Sequence, residues 1–170
     1  MRLLSMALLS LVLLGSAACT QEQELPPYSK VYDTNRDAQA DFAFAIERAK
    51  KNQKRILMFV GGDWCIWCRA LDDFLQNTPA VQDMLQENFV LLKVYYGRDN
   101  RNTKFLAGLP PFRGTPHFYV FDAEGQFLHT QPTEVLEQGQ GYDALKMTTF
   151  LQKWATEEVK PQAKPAAKPS

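Results

Sequence analysis

The chain has 170 residues, 45% of them hydrophobic, with 19 Lys plus Arg balanced by 19 Asp plus Glu. That supplies one core of ordinary size and too little chain for two domains once loose ends are set aside. The zero net charge gives no sign of a nucleic-acid binder or of a strongly acidic partner.

Residues 1–19 read as an export signal. Arg2 gives a positive start, an apolar run extends from Leu3 to Leu14, and Gly15-Ser16-Ala17-Ala18 precede Cys19. The run is short for a bilayer span and no stop-transfer pattern follows. The small residues before Cys19 resemble the bacterial lipoprotein box, with Ser16 where that pattern usually has Leu. The resemblance implies lipid attachment at Cys19, and Thr20 rather than Asp after it implies the outer membrane. Plain signal cleavage is the alternative. Several acyl chains would hold the protein firmly where a single one would not.

Residues 20–34 are expected as a spacer, polar around Pro26-Pro27, with a short extended piece at Val31-Tyr32. From Asn35 or Arg36 to Asn52 the periodicity is helical, with Phe42, Ala45, Ile46 and Ala49 on one face and Asp33, Thr34 or Asn35 as caps. The apolar run within Arg55 to Val60 lacks alternation and predicts a strand covered on both faces. Gly61-Gly62 breaks it, Asp63-Trp64-Cys65-Ile66-Trp67-Cys68 follows, and Arg69 to Leu75 continues as helix. Thr78-Pro79 opens a second short helix ending near Asn88. Phe89 to Tyr96 is a second buried strand, and residues 97–112 are irregular with some helix. His117 to Phe121 and Gln126 to Thr130 form a hairpin around Asp122-Ala123-Glu124-Gly125. Residues 142–158 are helical, with Met147, Phe150, Leu151 and Trp154 on one side. Residues 159–170, rich in Lys, Pro and Ala, are expected as a disordered tail. The folded domain is therefore placed at 35–158, in the α/β class, with a central mixed sheet flanked by helices.

Three cysteines are present. An exported protein stapled by disulfides would carry more, spread along the chain. Cys65 and Cys68 form a close pair, which suits thiol–disulfide exchange: one thiolate attacks and a neighbouring thiol displaces it. With a helix starting at Cys65, that sulfur faces the free N–H groups and the positive dipole end, which favour its thiolate. Cys65 is thus the expected attacker and Cys68 the resolving thiol, with Trp64 and Trp67 offering apolar contact to a flexible protein or peptide substrate. No metal or cofactor is called for. Zinc would want a second ligand pair, and His117 and His129 have unsuitable spacing. Covalent haem would need His where Arg69 stands. Copper binding through two thiolates, client binding or a structural disulfide without turnover remain as alternatives. Asp72-Asp73 point apart on a helix and are expected in water.

Trp-Cys-x-x-Cys between a buried strand and a helix, together with Arg113-Gly114-Thr115-Pro116 entering the strand His117 to Phe121, resembles the thioredoxin superfamily over about residues 36–157. The N-terminal helix followed by Arg55 to Cys65 is similar to the exported branch that includes reductase modules of membrane electron carriers. The resemblance implies a thioredoxin-like fold and a cis-proline at Pro116 lying against Cys65. It also implies that the Thr115 backbone binds extended substrate and that Lys93 supports the buried cysteine. One departure stands out: the family's buried aspartate, six residues before the first cysteine, is here Phe59. The reading that results is a periplasmic, lipid-anchored oxidoreductase that reduces protein disulfides and draws electrons from a membrane carrier. The reductase direction rests on Ile66-Trp67, which contains no group to stabilise a Cys65 thiolate as strong oxidants require.

Overall fold

The computed structural model describes residues 26–155. The expected signal, Cys19 and the whole of the expected tail lie outside them. Six helices, α1 (Pro27–Lys30), α2 (Ala38–Asn52), α3 (Ile66–Gln76), α4 (Pro79–Asn88), α5 (Thr103–Leu106) and α6 (Ala144–Trp154), accompany the strands. Strands β1 (Arg55–Gly61), β2 (Phe89–Tyr95), β3 (His117–Phe121) and β4 (Phe127–Pro132) form one sheet in the order β2-β1-β3-β4. β1 and β2 are parallel, whereas β3 is antiparallel to both β1 and β4. The mixed sheet and antiparallel edge are as expected from the sequence. A small hairpin of β5 (Glu137–Gln138) and β6 (Gly141–Tyr142) was not.

Both faces of the sheet are covered, which is why β1 reads as an unbroken apolar run. Successive strand residues point to opposite faces. Leu57, Phe59, Phe118 and Val120 join Leu71, Leu85, Met147 and Leu151 in one cluster. Ile56, Met58, Val60, Leu92, Tyr119 and Phe121 join Ala45 and Ala49 of α2 in the other. The β3–β4 turn is closed by Asp122, whose carboxylate accepts from the backbone N–H groups of Glu124 and Gln126 at 3.0 and 2.8 Å. Gly125 sits there at φ +83°, a conformation that favours glycine.

Two local expectations are corrected. The cap of α2 is Asp37, which accepts from the backbone N–H groups of Gln39 and Ala40 at 2.8 and 3.2 Å. Asp33 instead accepts from Asn35 N in a turn of its own. The segment from Pro26 to Thr34 was expected as spacer, yet it docks on the domain. Ser29 Oγ donates to Leu91 O at 2.5 Å along the open edge of β2, and Tyr32 is buried in the core. The physical reason is the edge itself: an uncovered strand leaves backbone groups unpaired, and α1 covers it.

Candidate active site

Cys65 is the N-cap of α3, at φ −87° and ψ 116°. Its backbone N–H donates to Gly62 O at 3.0 Å, closing the turn after β1. Its sulfur accepts from Cys68 N at 3.2 Å, so a free N–H of the first helical turn points at Sγ. From the facing loop, Thr115 O accepts from Cys65 Sγ at 3.4 Å and Thr115 Oγ1 donates to the same sulfur at 3.5 Å. The Thr115–Pro116 peptide bond is cis. Thr133 Oγ1 donates to Pro116 O at 2.7 Å and ties the loop to the turn after β4. The structure thus brings Cys65, Cys68, Thr115 and Pro116 together, both cysteines standing as free thiols.

The two sulfurs have different surroundings. Cys65 lies under a rim on which Trp64 and Ile66 are 54% and 71% exposed. Cys68 is 1% exposed. Burial first, and then its hydrogen bond with Cys65, push its thiol well above the ordinary value. Trp64 Nε1 donates to Tyr96 O at 3.1 Å, and its ring lies over Gly62 and Gly97, where an added Cβ would come within 2.5 and 2.6 Å of Nε1. Trp67, grouped with Trp64 on sequence, turns inward. It meets Tyr142 edge-on at 6.1 Å, and Tyr142 Oη donates to Trp67 O at 3.4 Å. Ile66, 71% exposed, adds apolar surface beside Trp64.

Phe59 fills the position of the family's aspartate with a ring stacked on Phe118 at 4.5 Å. Beneath Cys68 stands Tyr32, a residue that sequence reasoning treated only as part of a spacer. A Cβ added to Gly61 would lie 2.5 Å from Cys68 Sγ and 3.1 Å from Tyr32 Oη. The glycine pair at the end of β1 therefore makes room for a sulfur and an indole. Lys93, expected beside the buried cysteine, has its ammonium committed elsewhere. It bonds Asp72 Oδ1 at 2.8 Å and Lys30 O at 3.1 Å, and lies 5.1 Å from the centre of the Tyr32 ring. Asp72, expected in water, is its ion-pair partner. A polar residue in the apolar strand β2 and an acidic one at the right turn of α3 were the available signal. Nothing in the sequence marked Tyr32.

His117 and His129 lie on opposite faces of the sheet. His117 stacks on Phe112 at 5.4 Å and shares a hydrogen bond of 2.7 Å with Thr130 Oγ1. His129 stacks on Trp154 at 4.5 Å. They cannot ligate one ion together. Among the described residues no group of three or more His, Cys, Asp or Glu is placed to hold a metal.

A thiol at a helix N-terminus, a second thiol buried one turn on, and a proline loop against the first define the class: a dithiol protein built on a mixed α/β sheet. The model of the thioredoxin-like family matches residues 37–123, and the chain belongs to that family. The disulfide bond reductase DsbH of Chlamydia pneumoniae is 26% identical over 95 residues, covering 51% of this chain and 57% of that protein. The chain thus matches little more than half the length of that relative. Among solved structures, a disulphide isomerase from Xylella fastidiosa Temecula1 is 24% identical, covers 76% of this chain and 96% of its own, and superposes with a TM-score of 0.61. A DsbH oxidoreductase is 22% identical, with coverages of 78% and 88% and a TM-score of 0.50. These two likenesses establish the fold.

Proposed function

We propose that the protein is a thiol–disulfide oxidoreductase that reduces protein disulfides outside the cytoplasm, through attack by Cys65 and resolution by Cys68. One observation carries the reading: Cys65 Sγ accepts Cys68 N at the start of α3 while Thr115 touches it from the facing loop. The first contact steadies a thiolate. The second places an extended backbone segment beside the reacting sulfur, where a substrate strand can pair. The exposed Trp64 and Ile66 offer apolar contact to an unfolded partner. A relative named as a disulfide bond reductase supports the reaction class.

In the reaction a Cys65 thiolate attacks a substrate disulfide and forms a mixed disulfide, releasing one substrate sulfur as thiolate. Cys68 then attacks Cys65 Sγ, the protein disulfide forms, and the second substrate sulfur leaves. Two electrons pass to the substrate, and the oxidised protein is recharged by a membrane electron carrier. Export and a lipid on Cys19, sorted to the outer membrane, belong to the same proposal and rest on residues 1–20 of the sequence alone.

The redox potential of the Cys65–Cys68 couple, equilibrated against glutathione, tests the direction. Reducing thioredoxins lie near about −270 mV and strong oxidants near about −120 mV. A value toward the first is expected. A value near the second would reverse the direction, and absent exchange with tight Cu(I) binding would replace the function by metal carriage.

A further inference from the structure

Tyr32 is 5% exposed, and its hydroxyl is the buried side-chain polar atom that lacks a hydrogen-bond partner among the described residues. Such a group costs stability, and its presence in a folded protein calls for a reason. The segment that carries it is not idle: α1 holds the β2 edge through Ser29 and through Lys93 on Lys30 O. The hydroxyl shares with Cys68 Sγ the space over the bare Cα of Gly61. We propose that Tyr32 donates a hydrogen bond to the Cys68 thiolate as that sulfur resolves the mixed disulfide, a place that the missing side chain of Gly61 keeps open. The proposal rests on the exchange reading above and deepens it.

The step balances without a further reactant. In the mixed disulfide, Cys65 Sγ is bonded to a substrate sulfur. Cys68 loses its proton to water, and its thiolate attacks Cys65 Sγ. The Cys65–Cys68 bond forms as the bond to substrate breaks. The electron pair leaves on the substrate sulfur, which takes a proton from water. Tyr32 keeps its own proton throughout. Burial, then the negative forms of Cys68, Asp72, Cys65 and Tyr142, hold its hydroxyl well above the ordinary value, so it serves as donor and not as base. The other charge packed on its ring is Lys93, already paired with Asp72. In the thiol form the hydroxyl has no acceptor. When the sulfur becomes an anion, a small shift of either side chain makes the bond, and bonds to charged acceptors are the stronger kind.

Tyr32→Phe keeps the ring and removes the donor. In the full chain with Cys65→Ser, alkylation of Cys68, followed by peptide mass against pH, reports its thiolate directly. Tyr32→Phe should raise the apparent pKa of Cys68 by about one unit, a tenfold loss of thiolate at fixed pH. Release of substrate from the mixed disulfide in single turnover should slow about tenfold near neutrality and recover at high pH. A purely structural Tyr32 would leave both unmoved, and that result overturns the proposal. Should Tyr32→Phe fail to fold, the unsubstituted chain with 13C-labelled tyrosine decides: the Tyr32 ring signal should shift over the pH range in which Cys68 alkylation rises, and a static signal refutes the role. If the wild type reduces no disulfide, the exchange reading falls, while the Cys68 titration still judges Tyr32 by itself.

Discussion

Cys65 and Cys68 are one helical turn apart, yet they occupy opposite sides of a boundary. On the Cys65 side are helix N–H groups, the Thr115 backbone and an apolar rim open to solvent. On the Cys68 side are Gly61, Tyr32 and, behind the tyrosine ring, the Lys93–Asp72 pair. If the proposed roles hold, the difference teaches that they come from surroundings and not from the thiols. Polar groups are aimed at one sulfur, whereas burial raises the pKa of the other. The largest break of that comparison is to remove either sulfur. Cys65→Ser should abolish exchange, while Cys68→Ser should still attack and then accumulate the mixed disulfide, seen as a band shift on non-reducing gels. A mixed disulfide trapped by Cys65→Ser and not by Cys68→Ser would place attacker and resolver the other way round.

The same rule extends to the residue after Pro116. His117 is buried on the opposite face of β3, and burial, with a smaller repulsion from His129, lowers its pKa to about 4. The unfolded chain takes up this proton below about pH 6.5 and the folded one only near 4. The folded state therefore binds fewer protons across that window, and stability falls as pH drops from about 6.5 to about 4. The loss levels off below that, at on the order of 3 kcal/mol. Urea titrations across the window should show the slope, and His117→Leu should flatten it. An unchanged slope in the variant would assign it to other groups.

How much of this was legible follows from the kind of signal each part leaves. The sheet was legible because strands buried on both faces leave unbroken apolar runs, as in Ile56 to Val60 and His117 to Phe121. Cys65 and Cys68 were legible because their spacing is itself the chemistry. Trp67, expected with Trp64 as apolar contact for a substrate, is half-buried against Tyr142, which no local pattern announced. The inward turn depends on Tyr142, which is 75 residues away. Tyr32 left no trace at all, since it follows Pro26-Pro27 in a polar stretch and acquires its place only when α1 covers the β2 edge. Contacts made by a terminal segment folding back carry no local periodicity.

Gly61 tests the inner side by filling it. Gly61→Ala would set a methyl 2.5 Å from Cys68 Sγ and 3.1 Å from Tyr32 Oη, both in the core. Overpacking of this kind costs about 1–3 kcal/mol. Thermal and urea unfolding should show the loss, together with faster alkylation of Cys68 as the sulfur is pushed from its niche. A stable variant with an unreactive Cys68 would mean that the strand end yields and the niche is not needed. Gly62→Ala, whose methyl comes nearest to the half-exposed Trp64 ring, should cost less.

The outer side calls for the smallest effect. Trp64 is half exposed, and its one hydrogen bond, to Tyr96 O, lies at the surface. Replacing Trp64 by Ala should move stability by no more than about 1 kcal/mol. Its ring stands beside Cys65 and touches neither sulfur by any hydrogen bond described, so what it offers a substrate is apolar area. A contact worth about 1 kcal/mol changes affinity about fivefold. Such a contact exists equally before and during sulfur transfer, and its loss therefore raises KM and leaves kcat in place. Trp64→Ala should show that split with a peptide disulfide, and little change with a small disulfide that has no side chains to seat. A fall in kcat with both substrates would instead show that the indole shapes the approach to Cys65, and the boundary between the two sides of the dithiol would then run outside Trp64.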